Sequence, residues 1–173
     1  MTTRKFTKLL HDAAPFARVF LGVLFVYTGL VKAFQPVEFL KLLREYNLTE
    51  NSLLLNFIAG TLPWFEVFTG LLLLLGIGVR GAGLLALAML VPFTLAVAQR
   101  AAAIHAANGT AFCGIRFNCG CGTGEVLICR KLVENVGLIL LAAIVAFVRA
   151  PRVAFRYGLF GTRAPASGEP AAE

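Results

Sequence analysis

The sequence predicts an all-α membrane protein: a bundle of four transmembrane helices with an interfacial helix and a cysteine-rich extracytoplasmic loop. Three observations carry that expectation. The 173 residues are 58% hydrophobic and only 14% charged, with a mean hydropathy of +0.80, outside the range of ordinary soluble domains. Four apolar runs approach the roughly 20 residues that a helix needs to cross about 30 Å of hydrocarbon. All four cysteines fall between residues 113 and 129, just before the last of these runs. One membrane domain is expected over residues 1–150, followed by a basic and then disordered tail over 151–173 that ends in the small, polar stretch APASGEPAAE.

The first span is expected at about 15–34, PFARVFLGVLFVYTGLVKAF. Pro15 suits a first helical turn, and Arg18 and Lys32 can snorkel toward opposite interfaces. A secretory signal is the competing reading, but Val31-Lys32-Ala33-Phe34 offers no small-x-small cleavage site, so the span is read as retained. Next comes VEFLKLLREYNL, residues 37–48, which sets Phe39, Leu40, Leu43 and Tyr46 on one side at helical spacing. It reads as an interfacial helix able to cover a pocket.

The second apolar run, 53–79, is longer than a bilayer requires and contains Pro63. An interfacial first part is therefore expected, then a true span over about 60–79 with Trp64 near the outer headgroups. The third span, 81–99, carries no charge and contains Pro92, a candidate kink that neighbouring helices can accommodate. The fourth is expected at 134–149, leaving residues 100–133 as the cysteine loop. Gly22, Gly29, Gly70, Gly76, Gly78, Gly81 and Gly83 read as small residues that let helices approach in lipid.

Lys and Arg near the span ends set orientation. With the amino terminus inside, nine basic residues fall on the cytoplasmic side and seven outside, and both basic termini share the cytoplasmic side. The expected location is the bacterial cytoplasmic membrane with the cysteine loop periplasmic. The net charge of +7 is then assigned to an anionic lipid leaflet rather than to nucleic acid. No phosphate loop or dinucleotide fingerprint occurs.

Outside the cytoplasm the thiols can be oxidised. Their spacing is C-x5-C-x-C-x7-C, and four cysteines allow three pairings. A bond between Cys119 and Cys121 would close a tight ring across one glycine and be readily exchangeable. Arg116, Arg130 and Lys131 nearby favour the thiolate. Two other readings stand beside exchange chemistry: structural bridges that brace a docking loop, and a four-thiolate metal site, against which C-x-C is not the usual zinc-knuckle spacing.

Glu66 is an ionisable residue inside a span, which is a functional hypothesis by default. Lys32, at the outer end of the first span, is its expected partner. Arg100, His105, Glu134 and Asn135 fall on the same outer side; beside the reading of Lys32 and Glu66 as an ion pair that only orders the bundle, Lys32, Glu66, Arg100 and His105 form the candidate site at which a lipid-soluble carrier such as quinone would exchange electrons and protons with the thiols.

These residues resemble the MauE/DoxX family of redox-associated membrane proteins. The resemblance rests on YTGLVKAFQPVEF, on LPWFEVFTGLLLLLGI and on the CGC before the last span, with Gly29, Lys32, Glu66 and Gly70 at the family's positions. It implies a four-helix membrane bundle. For the MauE branch it implies a role in disulfide maturation of methylamine dehydrogenase beside a thioredoxin-like partner, and for DoxX-type relatives an association with quinone-linked sulfur oxidation. Vitamin K epoxide reductase offers a fold-level analogy. The chain departs from the usual CGCFG, reading CGCGTGE with Cys113 and Cys129 flanking it. The expected assignment makes Cys119 and Cys121 the exchange pair and Cys113 and Cys129 a second pair that relays or braces. The expected activity is quinone-linked thiol-disulfide exchange with a periplasmic redox protein.

Overall fold

The computed structural model describes residues 2–46, 51–118 and 125–148. Its elements are α1 (Thr2–Phe34), α2 (Pro36–Glu45), α3 (Ser52–Leu75), α4 (Val79–Asn108), a short 3-10 turn (Phe112–Gly114), β1 (Arg116–Asn118), β2 (Glu125–Leu127) and α5 (Ile128–Phe147). The expected tail, 151–173, lies outside the described residues.

Apolar composition makes these helices and their length lets three of them cross a membrane. Ala13–Phe34, Ser52–Leu75 and Val79–Asn108 are long and apolar enough among the described residues. Only a third of each such window is buried, and the rest presents large side chains outward, Phe16, Phe57, Trp64, Phe68 and Leu95 among them. In water such a surface would drive aggregation; in hydrocarbon it is the solvated face. α5 is as apolar in its second half, but Arg130, Lys131 and Glu134 occupy its first two turns.

One core joins the long helices. Ala17, Leu21 and Phe25 of α1, Leu73 of α3, Ala82, Ala86 and Leu90 of α4, and Ala142 and Val145 of α5 are buried together. Small residues set the closest approaches. A Cβ added at Gly29 would stand 2.8 Å from the Pro63 carbonyl, one at Gly70 2.7 Å from the Gly22 carbonyl, and one at Gly83 2.9 Å from the Ala146 nitrogen. The α1/α3 and α4/α5 pairs therefore pack backbone to backbone. Gly76, Gly78 and Gly81 have different surroundings from those expected: Gly76 (φ 74°) and Gly78 (φ 56°) are in the left-handed conformation that turns α3 into α4, and around Gly81 there is open space.

Several boundaries differ from the sequence reading. α1 starts at Thr2 and takes Pro15 into its interior, because a helix leaving lipid keeps its own backbone bonds and has no reason to stop at the interface. α3 runs unbroken through Pro63 and ends at Leu75; Pro63 is fully buried, and packing against α1 holds the helix where one backbone bond is missing. α4 contains Pro92, as expected of the third span, but continues to Asn108, so that Arg100 and His105 are helical rather than in the loop. α5 starts at Ile128, six residues before the expected 134, and takes Cys129 into its first turn. The interfacial segment forms α2, with Phe39 and Leu43 buried against Leu55 and Ala59 of α3.

Candidate functional site

The site begins with an ion pair. Gly29 and Gly70 bring α1 and α3 into contact, so Lys32, one turn beyond Gly29, and Glu66, one turn before Gly70, meet. Lys32 Nζ donates to Glu66 Oε1 at 2.5 Å, with side chains only 7% and 12% exposed. Two rings flank the ammonium, Phe39 of α2 at 5.5 Å and Phe93 of α4 at 5.7 Å. Three helices besides its own thus hold Lys32, through a carboxylate and two aromatic faces.

Beside the pair lies a cavity of about 680 Å³. Its polar end is made by Lys32, Glu66, Lys131, Glu134 and Asn135, and its walls by apolar side chains including Leu24, Met89, Phe93 and Leu138. Phe20, Tyr27 and Leu140 also line it and are more than half exposed, so the cavity opens sideways between α1 and α5 on the surface that faces lipid. Two buried polar atoms of its lining lack a hydrogen-bond partner among the described residues, Glu66 Oε2 and Asn135 Nδ2. Groups of that kind are costly unless something meets them. The lining suits an amphiphile with a small polar head and an apolar tail.

The cysteine hairpin sits at the same end. β1 and β2 pair antiparallel with Arg116 opposite Leu127, and Ile128 donates to the Ile115 carbonyl at 3.1 Å. The hairpin folds the 3-10 turn at Phe112–Gly114 back onto the start of α5 at Ile128. Cys113 and Cys129 form a disulfide with Cα atoms 5.0 Å apart. Cys113 is exposed and Cys129 half-buried, the latter against a cluster of Val97, Ala101, Ile115 and Ile128 that also takes in Phe93 and Tyr46. Phe93 is therefore a shared wall, facing the cavity on one side and the cluster under the disulfide on the other.

Of the expected site residues, Lys32 and Glu66 come together and Cys113 and Cys129 bond. Arg100 and His105 do not line the cavity. His105 is exposed, its Nδ1 is 2.6 Å from the Thr110 carbonyl, and its ring meets Phe112 edge-on. It serves the turn that ends α4. Cys119 and Cys121 lie outside the described residues. Lys131 and Asn135 were not among the expected site residues. The signal that finds them is positional: both fall on the i, i+3, i+4 stripe that also carries the buried Ile128, Ala142 and Val145.

No curated protein and no solved structure matches the chain. The family model of the methylamine utilisation protein MauE does, over residues 10–148, a stretch that runs from α1 to the end of α5 and contains the ion pair, the cavity and every cysteine. With its apolar helices and this match, the chain belongs to the MauE family of integral membrane proteins.

Proposed function

We propose that this protein is a thiol-disulfide redox protein that passes two electrons between a thioredoxin-like partner outside the membrane and quinone inside it. In this reading α5 is a fourth span and completes a four-helix transmembrane bundle in the bacterial inner membrane. Both termini are cytoplasmic and the cysteine hairpin is periplasmic, where a disulfide persists. The observation that carries the reading is the shared helix. Cys129 of the disulfide and Lys131 and Asn135 of the cavity occupy the first two turns of α5, so thiol chemistry and a lipid-accessible pocket meet at one helix end.

The exchange follows from exposure and polarity. Once a partner dithiol has reduced the Cys119–Cys121 pair and left as its own disulfide, one thiolate of that pair attacks the exposed Cys113 sulfur and breaks the bond to Cys129. Cys129 leaves as thiolate at the second position of α5, whose first turn has no side-chain cap and whose dipole favours negative charge. The second thiol of that pair then attacks its neighbour's sulfur and releases Cys113, so the Cys119–Cys121 bond re-forms and Cys113 and Cys129 are left as two thiols. Quinone supplies a two-electron, two-proton acceptor; two thiols and one quinone become one disulfide and one quinol. Cys119 and Cys121 are the pair that exchanges directly with the partner, and Cys113 and Cys129 relay. Run in reverse, the same steps draw electrons from quinol. A four-thiolate metal centre fits less well, because Cys113 and Cys129 are bonded to each other.

The same bond also suits the second reading, a disulfide-braced docking loop on a noncatalytic assembly subunit. Differential alkylation and mass spectrometry in native membranes separate the two. With the quinone pool oxidised and then reduced, the redox reading expects the thiol count to change; four cysteines that remain oxidised under both conditions leave the docking subunit.

A further inference from the structure

We infer that Asn135 is the hydrogen-bond donor that recognises the carbonyl of the quinone head, acting opposite the free oxygen of Glu66. The inference rests on the quinone reading above and assigns the head-group contacts within it. Asn135 is 2% exposed and lines the cavity, yet its Nδ2 meets no acceptor among the described residues. A purely structural position of this kind would favour Leu, which is of similar size and has nothing to satisfy. The retained amide is explained by an acceptor that arrives from outside.

Three properties of the cavity identify that ligand's chemistry. The two unmatched atoms are one donor, Asn135 Nδ2, and one acceptor, Glu66 Oε2, which matches a ring bearing a carbonyl when oxidised and a hydroxyl when reduced. The ionisable groups that line the cavity are Lys32 and Lys131 against Glu66 and Glu134, with Arg130 outside the lining and paired to Glu134; the lining itself is formally neutral, which suits an uncharged head. Along α1 the lining runs from Lys32 to Phe20, about 18 Å at 1.5 Å per residue, and its exposed rim at Phe20 and Tyr27 leaves room for an apolar tail to pass into the bilayer. Asn135 thus contacts the head, and the walls contact the tail.

The test uses the full-length protein in lipid nanodiscs and decylubiquinone as probe, with equilibrium binding and thermal unfolding as readouts. Asn135→Leu is expected to weaken probe binding about tenfold, as loss of one buried hydrogen bond does. It should shrink the probe-induced thermal shift at a given probe concentration and raise the melting temperature of the ligand-free protein. Asn135→Ser, which keeps an O–H donor, should stay nearer to wild type in binding. Undiminished binding by Asn135→Leu overturns the inference and leaves the quinone reading standing. A ligand-free Asn135→Leu that melts lower or fails to fold also overturns it, because the amide would then be serving the fold. Wild-type protein that binds no probe removes the quinone reading itself.

Discussion

Lys32 illustrates how much one side chain can depend on its neighbours. Its ammonium is held by Glu66 Oε1 at 2.5 Å and by the faces of Phe39 and Phe93. The two partners are not equivalent. Lys32→Met leaves a buried carboxylate without a counter-charge and is expected to destabilise the protein by about 3–5 kcal/mol. Glu66→Gln leaves Lys32 with both rings and with an amide oxygen that accepts a hydrogen bond from its ammonium, so a smaller loss of about 1–2 kcal/mol is expected. Thermal unfolding of the two variants in detergent checks the order; equal losses would mean that the rings contribute nothing. If the site works as proposed, Glu66→Gln also slows quinone-linked thiol oxidation while the fold persists. The pairing of Lys32 with Glu66 was legible in the sequence, because a charge inside a span needs a partner at similar depth. Lys131 and Asn135 were legible only as polar residues at that end of the last span, since their place in the lining depends on the helix face they occupy.

The helices and the hairpin owe their positions to contacts that only a few residues permit. Gly29 is one: a Cβ there would meet the Pro63 carbonyl at 2.8 Å and Val67 Cγ2 at 2.8 Å. Gly29→Val should push α1 from α3 and separate Lys32 from Glu66. The expected result is a loss of several kcal/mol, read as a lower melting temperature together with loss of the effect of Lys32→Met when the two changes are combined. The hairpin is closed by Cys113–Cys129 across 16 residues of sequence. Cys113→Ser should cost about 3 kcal/mol under oxidising conditions, from the loop-closure entropy returned to the unfolded chain, and nothing extra in excess dithiol. Cys121→Ser is expected to trap a mixed disulfide with the periplasmic partner, visible as an adduct lost on reduction. The pairing of Cys113 with Cys129 could not be chosen from spacing, because it depends on the β1/β2 hairpin folding the 3-10 turn that carries Cys113 back onto the first turn of α5.

At the scale of the whole molecule, the ion pair, the cavity's polar end and the disulfide gather at the end of the bundle opposite the Gly76–Gly78 turn. Such one-sidedness is what a protein bridging a water-soluble partner and a lipid-soluble carrier requires. It also makes a topology prediction. An epitope placed after Gly109, at the α4 cap, should be accessible from the periplasm, and one at the carboxyl terminus only after the membrane is opened. Finding both on one side would remove α5 as a span and with it the shared-helix mechanism. The outward faces of α5, with Val133, Val136, Leu140 and Phe147 exposed, support crossing, while Arg130, Lys131 and Glu134 sit at the end where water is near.

Composition and periodicity by themselves determined that the chain is helical and membrane-bound, that Lys32 and Glu66 belong together, and that its thiols cluster at one loop. Those properties are set by hydrophobicity and chain order, which sequence records directly. Where each helix stops was not legible locally: Pro63 lies inside α3 because it is buried against α1, and α1 and α4 run past the expected span ends to Thr2 and Asn108. The membership of the site was decided by the tertiary structure. Arg100 and His105 share a side of the membrane with Glu66 but not a helix face, whereas Asn135 shares the face, and a pocket is built by faces.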